Sequence, residues 1–156
     1  MSVYFTEGDL FLTRAQTIAH GCNNRGRMGA GIATQFKSRF PEMFKDYRSK
    51  CRELIFRPGD IDLFKSCSPW VLNMATQEDL GGARLEYIKA CFENLEKEYS
   101  KLGIRSIAMP KIGAGLGGLD WEEVLDLLEI HLDPLPIPII IYERFIEGKM
   151  GKEPKD

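Results

Sequence analysis

Residues 109–121 read MPKIGAGLGGLDW, and Gly113, Gly115, Gly117 and Gly118 crowd four glycines into six positions. Glycine loses more conformational freedom on folding than any other residue, so such a run needs a backbone purpose. Ser106–Met109 ahead of it reads as a strand, and Trp121–Leu132 behind it spaces its apolar residues as a helix does. A glycine turn between strand and helix sits beyond a strand's carboxyl end, where open α/β sheets bind their ligands.

A second segment repeats this grammar. Thr17–His20 reads as a strand, runs into GCNNRGRMGAG at 21–31, and leads to a helical pattern over Gly29–Arg39. Each loop holds a Gly-Ala-Gly, at 29–31 and 113–115. Without Cβ atoms, successive N–H groups can converge on one point and a ligand can approach closely. Amides converging at a helix start favour anions. A single glycine turn is explained by packing; two matching turns on one sheet edge predict a grip on a diphosphate.

Other glycine motifs fit less well. GAGLGG satisfies GxGxxG, but that fingerprint opens the first βαβ unit of a larger two-halved fold, and only one strand follows here. Glu143 does end that strand about where a ribose-binding acid would sit. A Walker A loop is excluded, because no GK[ST] follows the glycines.

Working outward, Val3–Glu7, Ile61–Lys65, Trp70–Thr76 and Pro138–Tyr142 read as further strands. Pro41 opens a helix running to about Cys51. Arg84–Leu102 is the clearest helix, with Leu85, Ile88, Cys91, Phe92, Leu95, Tyr99 and Leu102 at helical spacing and Gly103 as its stop. Strand and helix taking turns predict a three-layer α/β domain with helices on both faces of the sheet.

Length and composition agree. A chain of 156 residues fits one domain, and 44% hydrophobic content supplies its core. The N-terminal MSVYFTEGDL lacks signal-peptide character. No apolar run approaches the roughly 20 residues that span a bilayer. Cys22, Cys51, Cys67 and Cys91 are 29, 16 and 24 residues apart, which suits neither zinc ligation nor a disulfide scaffold. A soluble, reduced, cytoplasmic monomer with no membrane partner is expected, needing no cofactor and no metal. Charge is uneven: Arg25–Arg57 carries nine Lys/Arg against three Asp/Glu in a chain of net charge −2. Such a block suits a solvated helix face or an anionic partner.

Taken together, GDL at 8–10, RMGAGIA at 27–33 and MPKIGAGLGGLDW at 109–121 resemble the macrodomain family of ADP-ribose-binding modules, from about Val3 to Tyr142. The MGxGIA and GLGGLDW loops are similar to those of the terminal ADP-ribose protein glycohydrolase and the DNA ADP-ribosyl glycohydrolase antitoxins. The resemblance implies a mixed, roughly six-stranded sheet between helices, as a macrodomain over residues 1–146 with a polar, mobile tail at 147–156. ADP-ribose would lie across the top of the sheet. Asp9 would then accept from the adenine amino group, with Leu10 beside it. Gly29, Ala30, Gly31 and Ile32 would form the first phosphate loop, and Asn23 would face the distal ribose. Ile112, Gly113, Ala114, Gly115 and Leu116 would supply amides to the diphosphate, with Gly117 and Gly118 bordering the distal ribose. Tyr142 and Phe145 would pack against adenine.

The chemistry implied is hydrolysis of an ADP-ribosyl linkage on a modified protein or nucleic acid. A non-catalytic reader and an ADP-ribose 1″-phosphate phosphatase are the alternatives. Where the glycohydrolase branch carries a lysine, this chain has Gln77, which can neither form a Schiff base nor bring a charge. Gly117 stands where the protein-directed enzyme has an aspartate. Cleavage at C1″ develops positive charge that a carboxylate would stabilise. Asp120, Glu78 and Asp79 are the candidates, although Asp120 before Trp121, Glu122 and Glu123 is placed first of all to cap the following helix. His20, at a strand end, suits either a proton relay or a satisfied buried histidine, and Cys22 has no evident base. Hydrolysis assisted by the ligand's own phosphate needs no side-chain base.

Overall fold

A computed structural model describes residues 2–79 and 81–155. The strands are β1 (Val3–Gly8), β2 (Thr17–Cys22), β3 (Ile61–Phe64), β4 (Trp70–Ala75), β5 (Ile107–Pro110) and β6 (Ile139–Phe145). The helices are α1 (Ala33–Arg39), α2 (Pro41–Arg52), α3 (Leu85–Leu102) and α4 (Trp121–His131), with a 3-10 turn over Leu10–Leu12. One six-stranded sheet runs β1-β6-β5-β2-β4-β3. All neighbours are parallel except the edge strand β3, which is antiparallel to β4.

Alternation along the strands builds two apolar layers. Ile139 and Ile141 of β6 pack with Leu72, Met74, Ile107 and Met109 beneath α3 and α4. Ile140 and Tyr142 point the other way, joining Ile18, Val71, Phe36, Met43 and Tyr47 under α1 and α2. Runs apolar at every position, such as IIIY, are what a sheet covered on both faces demands. On α3, Ile88, Cys91, Phe92 and Leu95 are buried, and Gly103 ends the helix at φ 79°. The side chain of Asp120 caps α4 by accepting from the Glu122 amide at 3.1 Å. Glu122 and Glu123 complement the helix dipole in its first turn.

Two boundaries differ from the sequence reading. The helix expected from Gly29 starts at Ala33, because Gly31 takes a left-handed φ of 61° that interrupts any helix there. The segment from Glu147, expected to be mobile, is instead tied down. Lys149 O accepts from the Asp9 amide at 2.7 Å, Lys152 N donates to Thr6 at 2.9 Å, and Glu153 takes bonds from Thr13, the Arg14 amide and Tyr142. The polar composition of this segment serves side-chain and backbone anchoring that local pattern cannot reveal.

Candidate active site

All five parallel strands present their carboxyl ends along one edge of the sheet, and a cavity of about 630 Å³ opens there. That size suits a nucleotide-sized ligand. Strand order sets its layout. Asn23, Thr76 and Gln77, from the loops after β2 and β4, line one end; Leu10, Tyr142 and Phe145, from β1 and β6, line the other. Between them lie the two glycine loops, 29–32 and 112–117. Each half of the edge thus has its own chemistry, amide-rich at the middle and aromatic at the β1/β6 end.

The loops face each other. Leu116 of the second reaches to 3.2 Å from where a Cβ on Gly31 of the first would sit. Among the described residues, the amides of Gly29, Ala30, Gly31 and Ile32 donate to no protein acceptor, nor do those of Gly113, Gly115 and Leu116. Gly29 and Gly115 would direct a Cβ into open space. Two rows of undonated N–H groups across a cavity form an anion cradle. Arg27 and Lys111 add the cations that line it.

The expected residues divide. Leu10, Asn23, Gly29, Ala30, Gly31, Ile32, Gln77, Ile112, Gly113, Gly115, Leu116, Gly117 and Tyr142 line the cavity. Asp9, Ala114, Gly118 and Asp120 do not. Asp120 caps α4, which corrects its assignment as the catalytic carboxylate. Asp9 is 4% exposed, and its two oxygens accept from the Phe11 and Gly148 amides, each at 2.9 Å. It caps the 3-10 turn and fastens the C-terminal segment. Gly118 adopts φ 79° and bonds back to Gly115 at 3.2 Å, turning the chain toward α4.

Asn23 lines the cavity, but its side chain braces its own loop. Its Oδ1 accepts from the Arg25 amide at 3.0 Å and its Nδ2 donates to Arg27 O at 2.9 Å. The Tyr47 hydroxyl donates toward the Asn23 oxygens at 2.8 Å, and burial pushes that hydroxyl's pKa far above its usual value. Gln77 Nε2 donates to Gly81 O at 2.9 Å. Asp79 sits at φ 50°, an uncommon conformation for a non-glycine residue. Its amide bonds Asn24 Oδ1 at 2.6 Å, and Arg25 lies 3.6 Å from its carboxylate, so the loops after β2 and β4 are joined. Tyr142 is 3% exposed and its hydroxyl donates to Glu153 at 2.5 Å, which leaves little ring face for stacking. Phe145, half-buried and edge-on to Phe11 at 6.2 Å, keeps more of its surface at the rim.

His20 is fully buried, stacked on Phe36 at 3.7 Å, with Nε2 2.8 Å from Asn73 Oδ1. Burial lowers its pKa to about 4, so near neutrality it holds no exchangeable charge and does not reach the cavity as a relay. The Cys22 thiol, also buried, is pushed well above its ordinary value by desolvation and is no nucleophile. Glu143, which the dinucleotide-fingerprint reading set about where a ribose-binding acid would sit, lines the cavity, as do Arg27 and Lys111, to which sequence reasoning assigned no place there. Their signal was only proximity to the two loops.

Fold and cradle together define a nucleotide-site α/β domain with its ligand edge at the strand ends. A family model described as Macro domain matches residues 19–128, and the chain belongs to that family. A DNA ADP-ribosyl glycohydrolase of Mycobacterium tuberculosis is 33% identical over 164 residues, covering 96% of this chain and 46% of the relative. An ADP-ribose glycohydrolase of Homo sapiens is 28% identical over 151 residues, covering 90% of each. The solved structure of Thermosipho africanus DarTG in complex with ADP-ribose superposes with a TM-score of 0.86 at 29% identity, covering 96% of this chain and 43% of that one. The chain therefore spans less than half the length of the mycobacterial relative and of the Thermosipho protein.

Proposed function

We propose that the chain binds ADP-ribose in this cavity and hydrolyses an ADP-ribosyl linkage at the distal ribose of a modified protein or nucleic acid. The observation that carries the reading is the pair of facing loops in which the amides of residues 29–32 and of Gly113, Gly115 and Leu116 have no internal acceptor among the described residues. The glycohydrolase names of the two relatives and the ADP-ribose complex of the Thermosipho protein support it.

In this reading the diphosphate lies between residues 29–32 and 112–117, and the distal ribose reaches toward Asn23 and Gln77. The bond from C1″ to the leaving group breaks as a water oxygen bonds to C1″, and the water's proton goes to the leaving group. The amide nitrogen of Gln77 is not nucleophilic, so Gln77 forms no Schiff base. Water is held by the ligand's own phosphate and by loop amides, which stabilise charge without reorganisation. Arg27, which lines the cavity and makes no ion pair among the described residues, favours a substrate carrying phosphodiesters, since phosphate contacts give sequence-independent affinity. Four free thiols support a reducing, cytoplasmic setting, and a monomer is part of the same reading.

Titration calorimetry with ADP-ribose tests binding, and absence of heat at millimolar ligand overturns it. Incubation with ADP-ribosylated DNA and protein, reading free ADP-ribose, tests hydrolysis. Binding without release supports a second reading, a non-catalytic reader, which Gln77 in the lysine position favours. Inorganic phosphate released from ADP-ribose 1″-phosphate identifies the phosphatase instead.

A further inference from the structure

Among the described residues, Glu143 is the one carboxylate that lines the cavity. An acid in the wall of an anion cradle repels the ligand unless it serves recognition. Glu143 is exposed at the rim, yet it is held there. The Trp121 indole N–H donates to its Oε2 at 2.9 Å. Trp121 is the first residue of α4 and packs on the main core, so the anchor is itself fixed. The other oxygen, Oε1, has no partner among the described residues and remains an acceptor.

Position says what this acceptor meets. Glu143 follows Tyr142 on β6, and Tyr142 pairs in register with Pro110, the residue that opens the second glycine loop. On one side are Lys111 and the amides of that loop; on the other is the aromatic end, with Phe145 two residues on. A nucleotide is built in the order base, ribose, phosphate. With phosphate in the loops and base at the aromatic end, the nucleoside ribose falls beside Glu143. Asp9, the other acid near this end, is already engaged by two amides.

We propose that Glu143 is a specificity-determining residue that accepts from the hydroxyls of the nucleoside ribose and repels ligands carrying a 2′-phosphate there. The inference rests on the ADP-ribose reading above. Discrimination arises as much from the repulsive element as from the attractive one.

Calorimetric titration of the wild-type chain with ADP-ribose, ADP-ribose 2′-phosphate and inosine diphosphate ribose tests it. The 2′-phosphate should bind at least about tenfold more weakly than ADP-ribose, as one close like-charge contact requires. The inosine analogue should bind within about threefold of ADP-ribose, since Glu143 reads sugar rather than base. Glu143→Gln keeps the side-chain shape and removes the charge, and should shrink the ratio of the two affinities about tenfold. Trp121→Phe removes the anchoring N–H with the acid retained, and should shrink the ratio partly. An unchanged ratio in Glu143→Gln, or equal binding of both nucleotides by the wild type, overturns this inference alone. Binding of neither overturns the ADP-ribose reading and the inference with it. If either variant melts early, the ratio measured on the folded fraction at low temperature still decides, because misfolding scales both affinities alike.

Discussion

The two glycine loops carry the same Gly-Ala-Gly and face the same cavity, yet they are held in opposite ways. The first is braced by side chains: Asn23 folds back on its own loop, Tyr47 supports it from α2, and Asn24 and Arg25 tie it to Asp79. The second is braced by backbone: Leu119 N donates to Gly113 O at 2.9 Å, Gly118 N to Gly115 O at 3.2 Å, and Ala83 N to Gly117 O at 3.0 Å. One arrangement fails when a side chain is removed, the other when a side chain is added. Shared sequence at the ligand therefore says little about what keeps the amides aimed.

The strongest way to break the comparison is Gly117→Ala. Its Cβ would lie 2.6 Å from Gly113 O and 2.9 Å from Ala83 Cβ, both attached to backbone that cannot yield cheaply. A loss of about 3 kcal/mol is expected, the upper end for overpacking, read as a lowered denaturation midpoint together with lost ADP-ribose binding. An unchanged midpoint would show that the second loop is not backbone-locked.

Acid probes the first side. His20, stacked on Phe36 of α1, takes a proton in the unfolded chain near pH 6.5 but in the folded chain only near pH 4. Its contribution is complete above pH 6.5 and is lost as pH falls toward 4, by roughly 2 to 3 kcal/mol. His20→Asn should flatten that part of the stability profile; an equal slope in both proteins would reassign the acid sensitivity.

Smaller effects sharpen the contrast. Tyr47→Phe removes the donor to Asn23 and should destabilise by about 1 kcal/mol, with weaker ADP-ribose binding, because the first loop relies on that hydroxyl. Gly29→Ala and Gly115→Ala should leave thermal stability within about 0.5 kcal/mol, as for neutral surface changes, while ligand affinity falls at least tenfold. Their Cβ atoms meet no protein atom and project into the space proposed for phosphate. Loss of stability in either would mean that the glycine serves the fold instead.

Much of this architecture was legible in the chain itself. Strands such as IIIY and a long amphipathic α3 declare themselves by periodicity, because burial on two faces or on one stripe leaves a local pattern. The glycine pairs were legible because a backbone that must approach a ligand has few residue choices. Other roles depend on distant partners and leave no such trace. GDL looked like a ligand acid, but Asp9 meets Gly148, 139 positions away, and starts a three-residue turn too short to show periodicity. Glu143 was legible as an acid at a strand end, but the Trp121 indole that holds it lies 22 positions away. Asn23 lies in the cavity wall as expected, yet its polar atoms turn inward to the loop.

The anchored end of the chain has a practical bearing. Trimming at residue 146, where the composition turns polar, would strand one oxygen of a buried aspartate without its donor. It would also strip Gly151 and Glu153 from Tyr142, whose inner edge borders the pocket. Such a shortened protein would be altered at the nucleoside wall from behind, with no change to any residue the ligand touches.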